Sequence, residues 1–322
     1  MEPETKKFYY NKGKIWKCVY LYENAKSMTE YYYFNGNVER SIEKLNDLNH
    51  GKQVDFYENG KMKYIVHWKN GKLDGKMKTF HKTGRKYSEC WYKKHKLNGM
   101  CRFFHRNGKV KAILFYKKNK LHCMYREFHS NGKIKEIGRV RYGKRDGTFK
   151  TFFLDGVLAK SESFTKDKKD GFFLEYYKTG DIKSIRSFRH GIQEGIENEY
   201  YINGNIKKKY IYRENEKNGM YSIFHYNSVL MEYGVFENDK KTGFVHRKPN
   251  KSVDFKRYYY YKGKKLLNFV EKRTKETCIV CLEDTEYKTQ CNHSLCPGCV
   301  QKWCVVTFEK GFTCPYCRTL LS

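Results

Sequence analysis

Apolar side chains return along this chain every 24 positions, in three columns. One column holds Val38, Met62, Val110, Ile134, Leu158, Ile182, Ile206 and Leu230. A second holds Trp68, Tyr92, Tyr116, Val140, Phe164, Phe188, Tyr212 and Phe236, and a third holds Phe56, Phe80, Phe104, Phe128, Phe152, Tyr176, Tyr200 and Phe224. Polar turn formers keep the same interval. Glycine stands at 36, 60, 84, 108, 132, 156, 180 and 204, each behind Asn, Asp or Thr. A second glycine series falls at 51, 75, 99, 147, 171, 195, 219 and 243, and it follows Asp74, Asn98, Asp146 and Asp170 in four repeats. Asn-Gly and Asp-Gly are strong hairpin signals because both residues tolerate positive φ. The runs between them are β-branched and aromatic, and no helical stripe competes.

Each repeat is therefore expected to be two strands and two turns, the second turn lying at Asp74-Gly75 and its equivalents. About ten such repeats, over residues 8–265, predict an all-β elongated antiparallel sheet in which the aromatic columns stack and bury one another. Two strands per repeat give an advance of ~10 Å each. The sequence then divides into repeats at 8–265, a connector at 266–277 and a cysteine-rich segment at 278–318.

Charge separates the same regions. The chain has 322 residues and a formal net charge of +31, yet residues 276–322 hold four Lys/Arg against five Asp/Glu. All of the basic excess sits before them. Lysine also forms columns. Lys72, Lys96, Lys120, Lys144, Lys168 and Lys240 share one position near the second turn, and Lys61, Arg85, Lys109 and Lys133 share one in the first turn. These rails are candidate contacts for an acidic partner: nucleic acid phosphate, anionic lipid or an acidic protein. Solubility and protection of the sheet edges would ask for lysine there as well. His81, His105, His129 and His225 repeat too, but neighbours ~10 Å apart cannot share an ion whose bonds are ~2 Å. Tyr57, Phe153, Tyr177 and Tyr201 fill the same slot, so the slot is expected to be an aromatic stacking position. Cys18, Cys90, Cys101 and Cys123 lack ligand spacing and are expected to be packed thiols.

The repeats resemble the MORN family, in its variant form with Asn-Gly-Lys and Asp-Gly turns. That resemblance implies a scaffold or partner-binding surface, with acidic lipid among the ligands proposed for the family.

The C-terminal cysteines follow a different rule. Cys278, Cys281, Cys291, His293, Cys296, Cys299, Cys314 and Cys317 supply eight soft or borderline ligands, with the pairs 278/281, 296/299 and 314/317 each three apart. This predicts two tetrahedral Zn2+ sites. A segment of under 50 residues buries little core, so metal binding must supply much of its folding free energy. Twelve cysteines, no apolar run long enough to span a membrane and no signal-like start make an intracellular, cytoplasmic protein the expectation, with the nucleus as an alternative.

The ligand order, three Cys, one His and four Cys, resembles the RING-finger family. The resemblance implies a cross-brace, with Cys278, Cys281, Cys296 and Cys299 on one zinc and Cys291, His293, Cys314 and Cys317 on the other. It also assigns Val280, Trp303 and Pro315 to a groove for a ubiquitin-conjugating enzyme, and Arg318 to a linchpin that donates to both that enzyme and its ubiquitin. The function implied is that of a RING-type E3 ubiquitin ligase, with the basic repeats recruiting a protein substrate. The alternative is a non-catalytic, zinc-stabilised scaffold. The residues after Cys317 are few, so the RING domain is expected to be monomeric.

Overall fold

The computed structural model describes residues 2–10, 13–248, 256–278, 280, 281, 284–288, 294, 295, 298 and 299, with 266–277 and 284–288 given as backbone alone. Two compact units divide the chain, Met1–Lys168 and Lys169–Ser322. Among the described residues the repeats of both are β-strands, which pair antiparallel with the next in sequence.

In Met1–Lys168 the strands begin at Val38, Met62, Val110, Ile134 and Leu158, the members of the first apolar column. The hairpin before each of them closes through Tyr33, Tyr57, His105, His129 and Phe153, whose N–H bonds to the carbonyl four residues on. The glycine of each such turn has positive φ, for example +77° at Gly60 and +84° at Gly108, which a side chain would resist. A β-bulge sits at the same phase in every hairpin, between Asp55 and Phe56, Thr79 and Phe80, Phe103 and Phe104, and Glu127 and Phe128. The third aromatic column is thus the bulged position.

The second turn is not where the glycines predicted it. The chain reverses at Asn70-Gly71, Lys94-His95, Lys118-Asn119 and Tyr142-Gly143, four residues before the expected place, and both residues of each pair have positive φ. That is the two-residue type I′ geometry, whose twist matches the strands. Gly75 and Gly99 lie instead inside or beside the returning strand, where a Cβ would come within 3.0 Å of His67 Cβ and 3.1 Å of Trp91 Cβ. They are glycine because φ is +124° at Gly75 and +118° at Gly99, which a side chain would resist, and because a neighbouring strand's side chain crosses close over them.

The interior also departs from a pure aromatic stack. One inward row runs Met77, Cys90, Cys101, Leu114, Tyr125 and Gly138 across successive strands. Cys90 and Cys101 are buried, as expected of packed thiols, and so is Cys18, whereas Cys123 is exposed. The next inward row mixes Asp55, Tyr64, Thr79, Ser88 and Glu127 with Phe103 and Ala112. Asp55 is buried and accepts from Arg40 Nη2 at 2.9 Å and Gln53 Nε2 at 2.7 Å. Burial alone would push its carboxyl up, but the Arg40, Gln53 and Tyr64 donors outweigh it and hold the pKa below the usual carboxylate range.

Lys169–Ser322 repeats the scheme, with bulges at Tyr176, Tyr200 and Phe224. Phe173 packs on Phe188 with ring centroids 4.7 Å apart, and Tyr221 on Phe236 at the same separation. Its buried carboxylate is Glu232, which accepts from Lys241 Nζ at 2.6 Å and Tyr221 OH at 2.7 Å, with Arg247 beside it at 2.5 Å. Burial again works upward and these donors prevail, so the Glu232 pKa is lowered. Residues 266–277, expected as a connector, belong to the strand Lys264–Thr277. Its start pairs with Lys256–Tyr261 and its end with Asp284–Lys288.

Two outcomes follow from this interior. Gly138 has no space for a side chain, since a Cβ there would fall 2.3 Å from the Phe149 ring. Gly138→Val should lower the urea midpoint by the equivalent of about 1–3 kcal/mol, and an unchanged midpoint would mean that Phe149 moves freely. The lowered carboxylate pKa values make Asp55 and Glu232 stabilising above their unfolded values of about 4. That contribution is lost as pH falls through the lower folded values. Urea denaturation between pH 7 and 3 should therefore show a smaller acid loss for Glu232→Gln than for the wild type, with lower stability of the variant at pH 7.

Candidate functional site

Two groups of residues stand out as places for chemistry: the cations of the turns, and the cysteines beyond the last repeat.

The cations of the first turns are already engaged. Lys61 Nζ donates to Thr83 O at 3.1 Å, Lys109 Nζ to Asn131 O at 2.9 Å and Arg85 Nη1 to Arg106 O at 2.7 Å, and Lys133 Nζ bonds Asp155 O. Each acceptor lies in the following turn. The long stem and multiple donors of Lys and Arg span that gap, so this rail is a set of straps rather than a row of free charges. Asparagine does the same work: Asn59, Asn107 and Asn131 each donate to a carbonyl 23 residues on, at 2.8–3.1 Å, while their own Oδ1 accepts the N–H two residues later.

The histidine slot proves to be a third strap. Tyr57 OH donates to Phe80 O at 2.9 Å, His105 Nε2 to Phe128 O at 2.9 Å and His129 Nε2 to Phe152 O at 3.0 Å. Tyr177 and Tyr201 repeat the bond in the other unit, at 2.7 and 2.9 Å. Tyrosine and histidine replace each other at these five positions because each carries a donor at similar reach on a flat ring, whereas Phe153 in the same slot carries none. Stacking is the role of His81, whose ring meets Tyr87 at 5.1 Å, edge to face.

The second-turn cations differ. Lys72, Lys96, Lys120, Lys144, Lys168 and Lys240 are all exposed, and no carboxylate among the described residues pairs with them. They follow the type I′ turn directly, each as the first residue of a strand.

Beyond the repeats, Cys278, Cys281 and Cys299 converge, their sulfurs all within 4.8 Å of one another. Cys278 and Leu295 are fully buried, and Ser294 is buried as well. Three thiolates around a tetrahedral ion with ~2.3 Å bonds would sit about 3.8 Å apart, so the cluster could hold a metal with a modest contraction. Val280, between the two turn cysteines, is 51% exposed. Cys291, His293, Cys296, Cys314 and Cys317 lie outside the described residues, as do Trp303, Pro315 and Arg318.

With the repeat geometry in hand, the comparison with known families is informative for part of the chain. Residues 49–70 and 97–118 match the MORN repeat variant. The two MORN segments start 48 positions apart, which is two of the 24-residue periods, and each spans a first turn and ends at the first residue of a type I′ pair. No curated protein matches the chain. Among solved structures, a crystal structure of TcdB2-TccC3-TEV aligns at 12% identity and TM-score 0.19 over 83% of this chain and 15% of that one. A Photorhabdus luminescens Tc holotoxin pore aligns at 9% identity and TM-score 0.19 over 82% of this chain and 15% of that one. The chain thus spans about 15% of the length of these structures. Among the described residues no helix is long and apolar enough to cross a membrane.

The cysteine cluster can be tested with a spectroscopic metal. Co2+ added to metal-free protein should give intense thiolate charge-transfer absorption, and Cys278→Ser should weaken it. Absence of that absorption in the wild type would show that the three sulfurs do not bind metal together.

Proposed function

We propose that this protein is a RING-type E3 ubiquitin ligase, its repeat units serving to recruit substrate. The observation that carries the reading is the meeting of Cys278 and Cys281 with Cys299, 18 positions further along the chain. In the cross-brace that the eight-ligand order implies, these three belong to one zinc with Cys296. Cys291, His293, Cys314 and Cys317 would hold the second. When bound, zinc supplies the folding free energy that so small a segment lacks.

The protein contributes no nucleophile in this reading. A shallow groove of Val280, Trp303 and Pro315 would dock the conjugating enzyme, and the exposure of Val280 beside the cluster suits such a contact. Arg318 would hold the enzyme and its thioester-linked ubiquitin together, because a planar guanidinium donates to two acceptors at once. Transfer then gains its rate from proximity and orientation as a substrate lysine attacks.

Purified protein should carry two zinc ions per chain by atomic emission, and it should form ubiquitin conjugates with members of a conjugating-enzyme panel. Arg318→Ala should reduce transfer at least tenfold with zinc content and enzyme docking kept, whereas Trp303→Ala should weaken docking itself. A zinc content near zero, or wild-type transfer by both variants, would refute the proposal.

A further inference from the structure

The two turn edges of Met1–Lys168 use their cations in opposite ways. On the first-turn edge the head groups are spent on backbone carbonyls. On the other edge, the residues that face each other across successive type I′ turns are Lys69 and Lys72, Lys93 and Lys96, and Lys117 and Lys120. All six are exposed, and no carboxylate among the described residues pairs with any of them. Directly opposed side chains in an antiparallel pair are ~5 Å apart, and like charges there destabilise the hairpin.

Solubility and edge protection do not explain the doubling. One lysine per turn blocks edge pairing and keeps the tip in water, and a second one opposite it only adds repulsion. Nor does the fold demand it. At the next turn Arg141 faces Lys144, but Asp146 takes up Arg141 at 3.4 Å. In the other unit the same positions hold Arg189 and Ile192, Arg213 and Glu216, and Glu237 and Lys240. The unrelieved like-charge pairs are therefore confined to three consecutive turns.

We propose that this edge, from Lys69 to Lys120, binds the phosphate backbone of a nucleic-acid duplex. Three pairs at a repeat advance of ~10 Å set six ammonium groups along about 20 Å, a line of charge that suits a linear polyanion with one phosphate per ~1.7 Å of duplex axis. Ammonium groups act as point charges and read no base. The turn centres are Asn70-Gly71, Lys94-His95 and Lys118-Asn119, and the His95 ring is turned onto Trp68 at 5.9 Å. They offer no stacking platform for unpaired bases and no apolar tip to enter a lipid surface. The site goes beyond the ligase reading and does not depend on the zinc segment.

Fluorescence anisotropy of the full chain with a 20-base-pair DNA duplex tests the proposal. Lys69→Gln/Lys93→Gln/Lys117→Gln should weaken binding at least tenfold and reduce the slope of log K against log salt by about 3. Because repulsion is removed, that variant should melt at or above the wild-type temperature. Lys61→Gln/Lys109→Gln/Lys133→Gln removes the same charge from the strapped edge and should change binding by less than threefold. Equal losses in the two triples would reduce the effect to net charge and overturn the site. So would undetectable duplex binding at low salt, or phosphatidylserine vesicles that bind more tightly than the duplex and are equally sensitive to the first triple.

Discussion

Everything in the repeat region depends on hydrogen bonds that join one hairpin to the next, between residues 22 or 23 positions apart. On the first-turn edge these are made by side chains: Tyr57 to Phe80 O, His105 to Phe128 O and Asn107 to Ser130 O. On the second-turn edge the backbone makes them: His95 N to Leu73 O, Asn119 N to Leu97 O and Gly143 N to Leu121 O. A twisted sheet of short strands leaves its turns exposed to fraying, and isolated hairpins are marginal in water. Tying each turn to its successor converts a series of weak hairpins into units whose stability comes from the neighbour contact. The strict 24-residue period is the sequence-level consequence. An insertion of one residue would carry each donor whose bond crosses it away from its carbonyl and shift the strand pairing at that point, turning that strand's inward side chains outward.

The inward face shows what this stitching permits. Because the edges hold register, the centre need not be wholly apolar, and it accommodates Asp55 under Arg40 and Glu232 under Lys241 and Arg247. Such buried carboxylates contribute little as pairs, since desolvation offsets most of the attraction, but they punish misalignment because an unpaired charge there is costly. The same registry lets the outer positions vary between units. That freedom is what makes three successive like-charge pairs at one edge informative, since no requirement of packing selects them.

Much of this was legible in the sequence. The apolar columns mark strand starts at Val38, Met62 and Val110, and the Asn-Gly series marks the first turns. The second turn carries the hairpin signal at Asn70-Gly71 but not at its equivalents Lys94-His95 and Tyr142-Gly143, and the recurring Asp74-Gly75 series, which lies at a strand irregularity, drew the reading four residues too far. The signal that could have placed it was there in Lys69 and Lys72, a like pair flanking two residues. Tyr and His at one slot also pointed to a shared donor, which five of its members use, while ring contacts at His81 and Tyr201 keep the stacking expectation in part. The pairing of Arg40 with Asp55 had no sequence signal, since the two meet only through the register of adjacent strands. The strand Lys264–Thr277 was hidden by its charge, which reads as a linker when the partner strand is not in view.

The central claim is that the 24-residue register, rather than any particular repeat, holds the fold. Thermal unfolding followed by circular dichroism tests it on two deletions of nearly equal size. Removing residues 97–120 joins Lys96 to Leu121, the equivalent of Leu97, and preserves the phase of every later strap. This deletion should retain the β signal and unfold cooperatively within about 10 °C of the wild type, the scale of a few kcal/mol. Removing residues 97–119 puts the straps and strand pairs that cross the junction one residue out of phase and should unfold far lower or fail to fold. If the two deletions melt at the same temperature, the register is not what holds the hairpins together.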